Sequence, residues 1–289
     1  MDAKEILASI RKIEIKSKEL SKSIFSGEYH SAFKGIGMSF FEVRPYRFGD
    51  EVRYIDWNVT ARNDEPHIKQ FEEDREMNVI LMIDISRSAF FGTKTKLKND
   101  LATEIAALIA FSAISNNDKV GAILFTDRIE LYIPPRKGKK HILRIIRDII
   151  YFKPEGKMTD ISKALRYLNN VILKKSIVFL ISDFISEDFR LPLQIARKKH
   201  DVIALRVFDE MEMDLPAGNL LRAIDPESGT ETLIDTSSEA IRIKYSQSAK
   251  DRQDKLKNLF GSNNVDFLEI GAGDDYTLEL HKFFKKRAK

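Results

Sequence analysis

The sequence predicts an α/β protein with a doubly wound, mainly parallel sheet and helices on both faces, plus an N-terminal helix and a small β-rich extension. From about residue 78 onward, short apolar runs alternate with segments of helical periodicity, a pattern typical of parallel sheets covered by helices. Two of the runs, Asn78–Ile83 and Ile177–Ser182, are almost entirely apolar, as expected for strands buried on both faces. The residues before position 78 lack this alternation.

The N-terminal part divides into two zones. The first, residues 1–26, carries aliphatic side chains at helical spacing among charged residues, and so predicts an amphipathic helix. These side chains are Ile6, Leu7, Ile10, Ile13 and Leu20. The second zone, residues 27–77, is glycine- and arginine-rich without clear periodicity, which favours short strands and turns. We therefore divide the chain into an N-terminal region at 1–77 and an α/β domain at 78–289.

The elements of the α/β domain follow from its apolar runs. Strands are predicted at Asn78–Ile83, Val120–Phe125, Ile129–Ile133, Ile177–Ser182, Val202–Val207 and Val265–Ile270. Helices are predicted at Lys94–Ser115, Lys139–Tyr151, Ser162–Leu173, Leu191–Lys199, Ser238–Leu259 and Tyr276–Lys286. The strand before Pro134-Pro135 is expected to be antiparallel. A hairpin is predicted across Leu220–Ile234, with its turn at Pro226–Gly229.

Composition excludes several classes of protein. Hydrophobic residues make up 43% of the chain, enough for a real core. The 48 basic and 44 acidic residues leave a net charge of +4, too small to indicate a nucleic-acid partner. Cysteine is absent, which rules out disulfides and thiolate zinc sites. No apolar run approaches the ~20 residues of a membrane helix, and no signal peptide is recognisable, so we expect a cytoplasmic protein.

Candidate metal ligands follow the two most apolar strands. Asp84, Ser86 and Ser88 come directly after the first of them, and Asp183 follows Ile177–Ser182. Ligands bind beyond the carboxyl ends of strands in open α/β sheets, and hard oxygen donors suit Mg²⁺ or Mn²⁺. Thr159 stands in a loop just before a helix. Taken singly, each residue has a plainer interpretation, because serine and threonine cap helices and aspartate occurs in turns.

The ordered set of Asp84-x-Ser86-x-Ser88, Thr159 and Asp183 resembles the metal-ion-dependent adhesion site of von Willebrand factor A domains. The resemblance covers roughly residues 78–271. It implies that the three hydroxyl residues bind Mg²⁺ directly and that the two aspartates bind it directly or through water. One coordination position would then remain for a partner's carboxylate. Without that ligand, metal binding is expected to be weak.

Four further stretches resemble the signature of the bacterial family called domain of unknown function 58. They are Gly35–Arg62, Phe71–Arg75, Asn117–Gly121 and Ile133–His141. Members of this family are typically encoded beside MoxR-type AAA+ ATPases. The resemblance implies a fold and a partner class but no reaction. Together with the metal site, it leads us to expect a non-catalytic, metal-dependent protein-interaction module, an adaptor or co-chaperone that acts with such an ATPase, or with its client, in complex assembly or maturation.

The arginine-rich signature also has a direct physical interpretation. Arg44, Arg53 and Arg62 lie close in sequence to acidic residues, and arginine pairs well with carboxylates. We expect a salt-bridged subdomain in which Trp57, the single tryptophan, is buried against the sheet. The alternative is that some of these arginines contact acidic residues of a partner.

An enzymatic function is the competing hypothesis. Asp84 beside Mg²⁺ could act in phosphoryl transfer or phosphate hydrolysis, but such enzymes usually have further acidic residues next to the nucleophile. The chain also lacks the GxxxxGK[ST] phosphate loop, the GxSxG elbow and HExxH spacing of its histidines. We therefore expect no catalytic activity.

Overall fold

The computed structural model describes residues 38–63, 65–73, 76–93, 97–224 and 229–288, together with residues 11, 13–15 and 33. Residues 11 and 13–15 are helical, in agreement with the helix expected over residues 1–26. The rest of that expected helix, like most of the turn expected at 226–229, lies outside the described residues.

Strands and α-helices account for most of the described residues. The strands are β1 (Met38–Pro45), β2 (His67–Glu73), β3 (Asn78–Asp84), β4 (Lys119–Phe125), β5 (Ile129–Arg136), β6 (Ile177–Ser182), β7 (Asp201–Phe208), β8 (Leu220–Ile224), β9 (Glu231–Asp235) and β10 (Asp266–Gly271). The α-helices are α1 (Trp57–Thr60), α2 (Lys98–Ser115), α3 (Lys139–Tyr151), α4 (Ile161–Val171), α5 (Arg190–Lys199), α6 (Glu239–Ser262) and α7 (Tyr276–Arg287). Short 3₁₀ helices lie at Val52–Tyr54, Arg87–Phe90 and Glu210–Glu212.

The central sheet has the strand order β10-β7-β6-β3-β4-β5. All neighbours are parallel except β4 and β5, which are antiparallel. Counted along this sheet alone, the order is 3-2-1-4-5-6, the doubly wound arrangement whose switch point lies between its first and fourth strands. The predicted fold class is therefore confirmed. The switch point falls between β3 and β6, the two strands that precede the candidate ligands.

Helices cover both faces of this sheet because alternate side chains of each strand point to opposite sides. Leu81 and Ile83 of β3 belong to one buried cluster, to which α2, α3 and α7 contribute. Ile80 and Met82 belong to the other, to which α4, α5 and the end of α6 contribute. None of the helices in the described part of the chain has the length and apolarity that a membrane span requires.

Two boundaries differ from the sequence expectation. The helix expected to begin at Lys94 begins at Lys98, after the N-cap residue Leu97. Strand β5 continues through Pro134-Pro135 to Arg136, although the prolines were expected to end it. Strand β5 lies at the edge of the sheet. Proline has no amide hydrogen to donate, and on the outer side of an edge strand this costs no hydrogen bond between strands.

The N-terminal extension is held by its own polar contacts. Strands β1 and β2 pair antiparallel. Two hydrogen bonds of 2.8 and 2.9 Å join the Arg44 guanidinium to both carboxylate oxygens of Asp50. The Arg44 hydrogen bond, with a further one from the Arg47 amide, lowers the pKa of Asp50 to about 2. Arg53 pairs with Glu51, so the salt-bridged interpretation agrees with the structure at both arginines.

The expected burial of Trp57 is wrong, because its side chain is 67% exposed. Trp57 is the first residue of the four-residue helix α1, and Asp56 caps that helix by accepting hydrogen bonds from the Asn58 and Val59 amides. The aliphatic side chain of Ile68, in β2, is buried in this region instead. Ile55 forms a β-bridge with Ile68. The single tryptophan thus stays on the surface.

Candidate metal centre

The loop after β3 carries a buried carboxylate and two buried hydroxyls. Asp84, Ser86 and Ser88 are 4%, 0% and 4% exposed. The Ser86 amide donates to Asp84 Oδ1 over 3.0 Å, which fixes a tight turn. The hydroxyls of Ser86 and Ser88 lie 3.0 Å apart, and the Ser86 side chain does not cap the 3₁₀ helix that follows it. The capping interpretation of Ser86 is therefore wrong.

Thr159 reaches this loop from the segment between α3 and α4. Its hydroxyl lies 3.3 Å from Asp84 Oδ2, to which it donates. The cap of α4 is the next residue, Asp160, which accepts a hydrogen bond from the Lys163 amide. Thr159 itself is thus left to face the buried carboxylate.

The segment that carries Thr159 contacts the start of β5 and the turn that precedes it. Glu130 accepts hydrogen bonds from the Gly156 amide and from the Thr126 hydroxyl, at 2.8 and 2.7 Å. A Cβ on Gly156 would lie 2.0 Å from Thr126 Oγ1 and 2.1 Å from Asp127 Oδ1. A side chain at position 156 would therefore require Thr126 and Asp127 to shift.

Asp183 lies at the end of the neighbouring strand but is engaged differently. Ser182, the last residue of β6, donates its hydroxyl to Asp84 Oδ2 over 2.6 Å. Asp183 accepts a hydrogen bond from the Ile185 amide on one oxygen and pairs with the Lys98 ammonium, at 2.8 Å, through the other. The structure thus brings Ser86 and Thr159 into contact with Asp84, and Ser88 into contact with Ser86. Asp183 lies beside them and is bound to a lysine.

Three residues of the site were missed by sequence reasoning: Lys98, Ser182 and Glu212. Ser182 had a usable signal, since a hydroxyl residue at the end of an apolar strand directly precedes Asp183. Lys98 stands among other lysines and Glu212 in an acidic run, so both resemble ordinary surface residues in the sequence. The ammonium of Lys98 contacts the carboxylates of both Asp183 and Glu212.

Burial dominates the electrostatics of the site. Desolvation, followed by repulsion from Asp183, raises the pKa of Asp84 to about 6, against hydrogen bonds from Ser182 and Ser86 that lower it. Desolvation lowers the pKa of Lys98, but attraction by Asp183 and Glu212 outweighs it, so that pKa is raised. Burial also raises the pKa of Glu212. The Lys98 ammonium is thus shared by Asp183 and Glu212, with Asp84 beside them.

The donor set fits a hard divalent cation. Ligands at 2.0–2.1 Å on neighbouring corners of an octahedron lie about 3 Å apart, which matches the separation of the Ser86 and Ser88 hydroxyls. In the described part of the chain, no group of three or more His, Cys, Asp or Glu side chains is placed to hold a metal. An ion at this site would therefore depend on hydroxyl oxygens, which suits Mg²⁺ or Mn²⁺ and not zinc.

Comparisons with known proteins place the chain in a family. The model of the family described as "Protein of unknown function DUF58" matches residues 42–255. The uncharacterized proteins Mb1516 of Mycobacterium bovis and Rv1480 of Mycobacterium tuberculosis are each 28% identical over 292 residues, covering 99% of this chain and 91% of theirs.

Similar solved structures have lower sequence identity. The conserved hypothetical protein BatB from Bacteroides thetaiotaomicron is 16% identical with a TM-score of 0.46, covering 73% of this chain and 98% of that one. The SpRpn10 VWA domain is 9% identical with a TM-score of 0.37, covering 71% and 93%. Because the family model spans most of the sequence, this chain belongs to the DUF58 family.

Proposed function

We propose that this protein is a non-catalytic, metal-dependent protein-interaction module whose metal ion receives a carboxylate from the partner. One observation carries the proposal: the hydroxyls of Ser86 and Ser88 face each other at 3.0 Å beside the buried carboxylate of Asp84, at the switch point of the sheet. The two hydroxyls lie within hydrogen-bonding distance of each other, and the same spacing suits adjacent ligands of Mg²⁺.

The proposed roles follow from the hydrogen bonds at the site. Ser86, Ser88 and Thr159 would bind Mg²⁺ or Mn²⁺ through their hydroxyls, and Asp84 would bind it directly or through water. Asp183, whose carboxylate oxygens are occupied by Lys98 and a backbone amide, suits a water-bridged role. When bound, the ion would supply a hard Lewis-acid position that accepts an Asp or Glu side chain of another protein.

Apolar side chains on the three ligand-bearing loops support a protein partner. Phe90 follows the Ser86–Ser88 loop, Met158 precedes Thr159, and Ile185 follows Asp183. These side chains are 43%, 56% and 51% exposed. Exposed apolar groups rimmed by polar residues are typical of protein-binding surfaces. A partner that presents a carboxylate to the metal would bury them.

The partner we propose is a MoxR-type AAA+ ATPase or its client protein. The ground for this partner is membership of the DUF58 family, whose members are typically encoded beside such ATPases. The chain would act as an adaptor or co-chaperone in the assembly or maturation of another complex. An acidic side chain on the partner would be the group it recognises.

The competing proposal is Mg²⁺-dependent phosphoryl transfer through Asp84. A nucleophilic carboxylate must reach its substrate, but Asp84 is buried and accepts hydrogen bonds on both oxygens from Ser86, Ser182 and Thr159. The nearest second carboxylate, Asp183, is paired with a lysine. These contacts favour a binding role over a catalytic one.

The test is to measure the affinity of this protein for a MoxR-type AAA+ ATPase, once in Mg²⁺ and once in EDTA. We expect wild type to bind tightly in Mg²⁺ only, and Asp84→Ala and Thr159→Ala to bind weakly in both. Asp254→Ala, which removes an exposed carboxylate on α6, serves as the matched control and should resemble wild type. Equal affinities for wild type and Asp84→Ala under both conditions would mean that docking does not use this site.

A further inference from the structure

Lys98 is an unusual residue for the place it occupies. It is the first residue of the 18-residue helix α2, and its side chain is only 4% exposed. The N-terminus of a helix carries a partial positive charge, so a buried cation there is unfavourable unless anions compensate it. Asp183 and Glu212 provide that compensation, from the loop after β6 and from the 3₁₀ helix after β7.

This arrangement changes the charge available to a metal ion. Three carboxylates matter for the candidate site: Asp84, Asp183 and Glu212. Two of them, Asp183 and Glu212, are bound to the Lys98 ammonium. The buried oxygens of the third carboxylate, Asp84, accept hydrogen bonds from the uncharged donors Ser86, Thr159 and Ser182. A site of hydroxyls with one unpaired carboxylate attracts Mg²⁺ less than a site with two, and the nearby ammonium repels the ion.

We propose that Lys98 is an internal cation that weakens Mg²⁺ binding to the isolated protein and so makes stable metal occupancy depend on the partner's carboxylate. The inference rests on the proposed function, because it concerns the same metal site. By pairing with Asp183, Lys98 keeps this carboxylate from binding the ion directly. The site then has one anionic ligand, Asp84, where two carboxylates would bind Mg²⁺ more tightly. A partner's Asp or Glu supplies that ligand, so metal and partner bind cooperatively.

The experiment is a calorimetric titration of the purified full chain with Mg²⁺ alone. Lys98→Met removes the charge and keeps most of the side-chain length, and we expect it to tighten Mg²⁺ binding at least tenfold. Lys163→Met is the matched control. It makes the same change in net charge at an exposed lysine next to Asp160, and we expect an affinity within twofold of wild type. An unchanged affinity in folded Lys98→Met overturns the inference.

Glu212→Gln keeps Lys98 in place and should change the Mg²⁺ affinity in the direction opposite to Lys98→Met. Because it removes a negative charge that partly neutralises the ammonium, Mg²⁺ should bind more weakly than to wild type. A purely structural ion pair would lower the unfolding midpoint in both variants without moving the two affinities in opposite directions. If Lys98→Met does not fold, tighter or unchanged binding in Glu212→Gln refutes the inference by itself.

The two proposals fail in different ways. If wild type and Asp84→Ala take up Mg²⁺ equally, there is no metal site and the proposed function fails. If wild type binds Mg²⁺ through Asp84 and Lys98→Met binds it no more tightly, the proposed function stands and only the role of Lys98 is refuted.

Discussion

Replacing Asp84 with asparagine should stabilise the metal-free protein. The pKa of this buried carboxyl is raised from its ordinary value of 3.8 to about 6, mainly by desolvation. Because of this shift in pKa, ionised Asp84 destabilises the folded state by about 3 kcal/mol at neutral pH. Asparagine has the same shape without the charge, and the Ser182 and Thr159 hydroxyls can rotate to accept from its amide. We expect a gain of about 1–3 kcal/mol in the free energy of unfolding.

The sign of the pH dependence follows from the direction of the shift. Because the folded-state pKa of Asp84 lies above the unfolded-state value, the folded protein takes up a proton as the pH falls below about 6. The penalty of the buried charge is therefore present above pH 6 and disappears as the pH approaches 3.8. The advantage of Asp84→Asn over wild type should shrink over the same window.

The assay is urea unfolding followed by circular dichroism, in EDTA and in Mg²⁺, at about pH 7.5 and about pH 4.5. Mg²⁺ should stabilise wild type and leave Asp84→Asn unchanged, since bound ligand stabilises only the folded state that binds it. Asp254→Asn, at an exposed position, should behave as wild type. The reasoning is refuted if Asp84→Asn unfolds at a lower urea concentration than wild type in EDTA at about pH 7.5.

Three further outcomes are expected. Gly156→Ala would bring a Cβ to 2.0 Å from Thr126 Oγ1, so it should destabilise by about 1–3 kcal/mol and weaken Mg²⁺ binding. Gly261→Ala, whose Cβ meets nothing within 4 Å, should change neither the unfolding free energy nor the calorimetric affinity for Mg²⁺ by a comparable amount. Burial lowers the pKa of His200 from 6.5 to about 4, so this residue should contribute a loss of about 3 kcal/mol of stability as the pH falls through that range. The loss is measured as the difference between wild type and His200→Leu, because Asp84 acts in the opposite direction over the same window. His200→Leu should lack this loss in urea unfolding, and an equally steep acid limb in the variant would contradict the assignment. Trp57→Ala should change stability by less than about 1 kcal/mol, and wild-type fluorescence should resemble tryptophan in water, whereas a blue-shifted spectrum would indicate burial.

The sequence predicted the sheet and helices of the α/β domain because their signals are local. Runs such as Ile177–Ser182 are apolar on both faces, and the helices repeat their apolar residues with helical period, so each element is specified by its own neighbours in the chain. The sequence also predicted that the candidate ligands Asp84 and Asp183 lie close together, although here the reason is the topology of the sheet. Strands of a parallel sheet end at a common edge, so the residues after β3 and β6 had to lie near each other once the topology was known.

Tertiary structure alone decided the surroundings of those ligands. Lys98 is separated from Asp183 by 85 positions and from Glu212 by 114, and nothing in a run of lysines indicates which one is buried. Trp57 shows the reverse case, a large aromatic residue that the fold leaves exposed. Hydrophobicity and spacing determine which segments form strands and helices. The burial and pairing of a single charged or aromatic side chain depend on what distant segments place beside it, because desolvation is set by the full three-dimensional environment.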